Sequence, residues 1–235
     1  YLVMPCVVLN AFQIDDTPQI RAGLLYSMGI AVGMHIVFLI LNAIFKKPLK
    51  LDVIERCAVI YSNASALVIP LLQATLGSEY VVYSCGFIIV QLVLLWTHAS
   101  SLLQGSSALD WKKVLTNINM IAIFAGVLLF LLRIQLPAPV QDAVDSISSM
   151  VGPMGMLILG MLIAEMDLKK LLSYHRLWWI TLLRLVGIPL IGIVLLKYSG
   201  LAALVPEGRT ILLVTLLAIC TPSASTLTQM AQVYG

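Results

Sequence analysis

Charge is scarce in this chain. Only 11% of its 235 residues are Asp, Glu, Lys or Arg, against about 25% in soluble domains. Paired acids are missing from the middle of every long apolar stretch, and no HExxH, GxSxG or Walker-type loop occurs. An intramembrane enzyme needs a nucleophile with a base, paired acids or deep metal ligands, so the pattern excludes an enzyme and a built-in ATPase. Cys6, Cys57, Cys85 and Cys220 are far apart, without a CxxC or a His at ligand spacing; they read as small buried thiols, with no disulfide and no metal site. A period-two alternation, which spanning strands require, is also lacking. The formal charge of +3 is small and the basic residues are confined to loops, which excludes nucleic acid as a partner. No signal peptide is visible, and the chain opens at Tyr1 inside an apolar run, as though trimmed.

What remains is apolar. Hydrophobic residues make up 60% of the chain and the mean hydropathy is +1.01. A helix crossing a bilayer needs roughly 20 apolar residues, and eight segments approach that length: 1–14, 22–45, 53–76, 81–104, 115–134, 140–166, 177–198 and 209–235. The expected fold is an all-α polytopic membrane protein. If every segment crosses, one side collects Lys46, Lys47, Lys50, Arg56, Lys112, Lys113, Lys169, Lys170 and Arg176, and the other Arg21, Arg133, Lys197 and Arg209. The positive-inside rule puts loops 46–56, 105–114 and 167–176 in the cytoplasm. Trp178 and Trp179 beside Arg176, and Trp111 beside Lys112, read as interfacial anchors. Glu165 and Asp167 read as interfacial partners of Lys169 and Lys170.

The prolines suggest an internal repeat. Pro5 to Pro70 is 65 residues and Pro153 to Pro222 is 69. Aligned this way, segments one to three match six to eight, an odd offset that inverts the second copy. Segments four and five then lack partners. Ten spans in two inverted five-helix repeats would complete the fold, with the first and last spans missing from this chain.

Two of the matched segments carry polar breaks, "YSNASALVIPLL" (61–72) and "TPSASTLTQMAQ" (221–232). Proline removes a backbone donor and clashes with the preceding turn, so a helix kinks or breaks there. In lipid the freed groups are tolerated only when buried in protein or facing a watery cavity. Half-helix N-termini suit a carboxylate. Asn63, Ser62, Ser65, Ser223, Ser225, Thr226 and Gln229 can add neutral hydrogen bonds to it. Small-residue runs such as these also serve close helix packing. Arg184 and His35 lie at near-equivalent places in the two copies, and both favour an anion if they face it. Alternatively Arg184 snorkels to the headgroups and His35 stays neutral against a neighbouring helix. Gln91 and His98 read as interhelical hydrogen-bonding residues.

"IYSNASALVIPLLQATLGS" and the closing "TPSASTLTQMAQVYG" resemble the auxin efflux carrier family of permeases, which is related in fold to the bile-acid sodium symporters. The resemblance implies ten spans, inverted five-helix repeats and two broken helices crossing near the centre, with Asn63, Pro70 and Pro222 at the crossover. It implies a dimer-forming scaffold from 1–14 and 115–166, and a transport domain from 20–104 and 177–235. The function so implied is secondary transport of a small organic anion, such as malate, malonate or an auxin-like weak acid, by an elevator mechanism. A sodium-coupled bile-acid-type symporter and a non-transporting receptor on the same fold stay open. No cofactor is expected beyond coupling to H+ or Na+. The expected partners are the anion, the lipid bilayer and a second copy of the chain, and the expected location is a bacterial plasma membrane.

Overall fold

A computed structural model describes residues 2–13, 17–77, 80–105, 116, 118–164 and 173–234. Eleven α-helices occur among the described residues. They are α1 (Val3–Ala11), α2 (Pro18–Phe45), α3 (Val53–Ile60), α4 (Ala64–Thr75), α5 (Val81–Leu103), α6 (Ile118–Leu131), α7 (Ala138–Ser149), α8 (Val151–Ala164), α9 (His175–Tyr198), α10 (Gly208–Cys220) and α11 (Ser225–Tyr234). The only extended pairing among the described residues is one antiparallel bridge between Ser62 and Ser223. By length and composition α2, α5 and α9 can each cross a membrane unaided.

Each of the eight apolar segments holds at least one helix among the described residues, and local chemistry sets several of the ends. Thr17 caps α2 by accepting from the Ile20 amide, with Pro18 at the first helical position, where its missing N–H costs nothing. Asp52 and Glu55 form a reciprocal capping box at the start of α3. The sixth segment differs from the single span expected over 140–166. It divides at Met150 into α7 and α8. The first half carries Gln141, Asp142, Asp145 and Ser146, too polar for a lipid-facing span, and Pro153 falls in the first turn of α8, where no intrahelical donor is required. Pro5 occupies the same third position in α1.

Polarity is arranged inside out. Leu25, Val32, Ile36 and Ile40 of α2 and Leu182, Val186 and Leu190 of α9 are exposed, whereas Ser27, His35, Gln91, Thr215 and Arg184 are buried. So large an apolar exterior requires lipid around it. Trp178 and Trp179 are exposed at the start of α9. Trp111 and the Glu165–Lys170 stretch lie outside the described residues.

The helices pack in two neighbourhoods that also touch each other, α1 and α6 against α5 and α8 against α4. In one, α1 packs on α6, α7 and α8, with Phe12 against Phe130 and the Gln141 amide donating to Asn10. In the other, α2 lies along α5, and α10 packs on α2, α4, α5 and α9. The α2–α5 contact is very close: a Cβ on Gly86 would stand 1.9 Å from Ser27 Oγ and 2.9 Å from the Met28 amide nitrogen. In a bilayer, where lipid is as apolar as leucine, such small-residue contacts are what hold helices together. Arg176 at the start of α9 bonds Glu55 and the Lys50 carbonyl, so segments 46–56 and 173–176 share one end of the bundle. At the other end Gln13 accepts from the Leu136 amide and Tyr26 donates to the Leu201 carbonyl.

Candidate functional site

Helix α3 stops at Ile60 and α4 starts at Ala64; α10 stops at Cys220 and α11 starts at Ser225. Between them Tyr61 and Thr221 are extended. The two breaks cross, with Asn63 N–H donating to the Pro222 carbonyl at 2.7 Å and Ala224 N–H donating to the Tyr61 carbonyl at 3.1 Å. These bonds flank Ser62 and Ser223, which therefore form a non-hydrogen-bonded antiparallel pair whose own N–H and C=O groups point outward.

Pro222 lies in its break, as the sequence suggests. Pro70 does not: it sits inside α4, and the first interruption comes seven residues earlier, at 61–63. Pro70 and Pro222 are thus not counterparts; Ser62 and Ser223 are the residues that meet. Ser65 is part of α4, beyond the break.

Side chains from the surrounding helices take up the freed backbone. Gln91 of α5 accepts from the Ser62 amide at 3.1 Å and from its hydroxyl at 2.7 Å, and donates to the Ser62 carbonyl at 2.7 Å. It replaces a missing strand neighbour. Arg184 of α9 is 2% exposed and donates to the carbonyls of Val59 at 3.1 Å, Ile219 at 3.1 Å and Thr221 at 2.9 Å. Both terminal nitrogens are thus turned to backbone carbonyls inside the protein and do not snorkel, while its Nε is buried without a partner among the described residues. The Ser223 hydroxyl donates to the Ala58 carbonyl at 3.0 Å. Tyr61 places its hydroxyl 2.8 Å from His98 Nδ1 and donates to the Leu94 carbonyl at 3.2 Å.

Arg184 and His98 each sit in a π-helical turn, Leu183–Gly187 and Leu95–Ala99. Such wide turns re-aim side chains and are frequent at functional sites. His35 is 1% exposed; its Nδ1 donates to Ala31 and its Nε2 has no partner among the described residues. Its ring packs at a tilt against Phe87 at 4.9 Å and lies 6.5 Å from Tyr61, ring centre to ring centre.

The polar residues thus divide into two sets. Ser62, Ser223 and Arg184 are engaged in bracing the crossover. Asn63 and Thr226 are half-buried and Ser225 is exposed, and the side chains of these three have no hydrogen-bond partner among the described residues. The side chains of Ser65, Pro70 and Gln229 lie outside the described ones. Tyr61 and Thr221 were not singled out by the sequence reading, although both stand inside the quoted motifs; a carbonyl's use as an acceptor leaves no mark on residue type.

Among the described residues an apolar helical bundle with a crossing of two interrupted helices defines an integral membrane protein. The membrane transport protein family matches residues 102–235, more than half of the chain and including the second break. The chain belongs to that family, which is of the auxin efflux carrier type, and is a membrane transporter. Comparison with curated proteins gives no match.

Proposed function

We propose that the chain is part of a secondary active transporter for a small organic anion whose carboxylate binds on the open side of the crossover. Asn63, Ser225 and Thr226 supply neutral hydrogen-bond partners there. The starts of α4 and α11 supply unpaired amides and a partial positive charge of about half a unit each. The observation that carries this reading is the division of labour at the crossover: Ser62, Ser223 and Arg184 have internal partners and brace the backbone, whereas Asn63, Ser225 and Thr226, at the two helix starts, have no side-chain partner among the described residues.

Transport follows by an elevator movement of 20–104 and 177–235 against 1–14 and 115–166. The packing supports this grouping, because α1 gathers α6 to α8, α10 packs on α2, α4, α5 and α9, and α3 and α11 pack on each other and on α5. The scaffold side is where a second copy would pair. Loops 46–56 and 167–176 face the cytoplasm, and the Arg176–Glu55 contact supports their lying at one end. The ten-span inverted repeat is the frame that would hold both breaks at mid-depth.

Counterflow of labelled malonate, malate or an auxin-like weak acid into proteoliposomes tests the reading. Exchange by the wild-type protein, reduced at least tenfold by Asn63→Ala with insertion intact, is expected for loss of a charge-assisted hydrogen bond. Full-rate exchange by Asn63→Ala and Thr226→Val removes the assignment. Saturable binding without any exchange identifies a receptor.

A further inference from the structure

We propose that Arg184 is the crossover's resident counter-charge, a positioning residue that holds the C-terminal ends of α3 and α10 together and fills the place a coupling cation would otherwise take. Three backbone carbonyls from two interrupted helices converge on it, at 2.9 to 3.1 Å. Val59 and Ile219 stand in the last turns of their helices, and Thr221 just beyond, where carbonyls have no intrahelical donor.

Such a set is what a bare monovalent cation requires of a protein in a membrane interior. Each helix C-terminus carries roughly half a negative charge, so a single guanidinium balances the pair. The N-terminal ends of α4 and α11 are then left as the uncompensated positive charge of the crossover. Arg184 thus acts on the anion through the backbone, without touching it. Its burial at 2% exposure and the engagement of both terminal nitrogens by backbone carbonyls set this role, and its Nε, buried and without a partner among the described residues, is the donor left over. The π-helical turn at Leu183–Gly187 is what carries the residue at this place, and a planar fork serves several acceptors better than a point charge.

The transport arm of the test rests on the anion reading above; the stability arm does not. Full-length protein is compared as wild type, Arg184→Ala, Arg184→Lys and Arg184→Gln. Melting temperatures are read in choline, sodium and low-millimolar guanidinium chloride at matched ionic strength. Wild type melts alike in all three. Arg184→Ala melts lower and is raised by guanidinium but not by choline. In counterflow with labelled malonate, Arg184→Ala loses about tenfold or more in maximal rate, as expected for three charge-assisted bonds. Its KM stays within about threefold of wild type, and guanidinium restores part of the rate.

Wild-type melting and transport in Arg184→Ala overturn the proposal. So does a rescue by guanidinium no better than by choline, or a raised KM at unchanged maximal rate, which marks a direct anion ligand. Should Arg184→Ala not fold, the other two variants decide: better melting for Lys than for Gln supports the counter-charge, and equal loss overturns it. Absence of malonate exchange by wild type refutes the anion reading and leaves the melting comparison to judge Arg184.

Discussion

Replacing Gln91 by leucine removes three hydrogen bonds while keeping the side chain's bulk. The amide of Gln91 is the only partner, among the described residues, of the Ser62 N–H and C=O, because the Ser62–Ser223 pairing turns both groups away from the neighbouring strand. Net contributions of about 1 kcal/mol per bond in proteins, or about 0.6 for interhelical bonds in membranes, give about 2 to 3 kcal/mol for the three; that is roughly 30- to 150-fold in the opening equilibrium of the crossover. The lower figure reflects membrane helices that find other partners when one is lost. Ser62 has little chance of doing so, because its groups are backbone and its segment is fixed at both ends. Amide exchange of peptides covering 61–63 reads the opening directly, and thermal unfolding of the same sample reads its effect on the whole. Faster exchange at 61–63 with little change along α2 is expected. Exchange and melting equal to wild type in Gln91→Leu refute the reasoning, since they show that the break closes without its clamp.

Three other outcomes follow from the same geometry. Gly86→Val puts a branched side chain against the α2 backbone, where the Met28 amide nitrogen already stands within 2.9 Å of a Cβ, and destabilises the protein by about 1 to 3 kcal/mol in a thermal or detergent titration; the same change at Gly29, which has open space around it, has a smaller effect. The Arg176 hydrogen bond holds the Glu55 carboxyl below its ordinary value of 4.5, so its contribution is complete above that pH and is lost as pH falls through the depressed value. Melting measured down an acid series falls more steeply for wild type than for Glu55→Gln in that window. Tyr61→Phe breaks the contacts to His98 and to the Leu94 carbonyl and lowers the melting temperature by several degrees, as expected for two buried hydrogen bonds.

Helix positions were legible because lipid asks for long apolar runs and loops carry the charges, so all eight segments stand out in the residues alone. The break in the first motif was legible only in part. Proline marks it poorly, since Pro70 lies inside α4, whereas the polar cluster before it coincides with the interruption. What makes that cluster a break is tertiary: Gln91 stands in for a strand, and Arg184 collects three carbonyls. A lone arginine in an apolar span announces itself, but its partners here are backbone atoms, which every residue possesses. The division of segment six at Met150 was hidden for a related reason, because hydropathy averaged over the segment conceals that its first half is polar.

The account rests on the meeting of the two breaks at Ser62 and Ser223. A non-hydrogen-bonded antiparallel pair brings Cα atoms to about 4.5 Å, within the range of about 4.4 to 6.8 Å that a disulfide accepts. With the four native cysteines replaced, Ser62→Cys with Ser223→Cys should cross-link rapidly under mild oxidation in the membrane, whereas Ser62→Cys paired with a cysteine at Thr228, farther along α11, should not. A folded double-cysteine protein that stays reduced at 62 and 223 while the control pair closes contradicts the crossing itself.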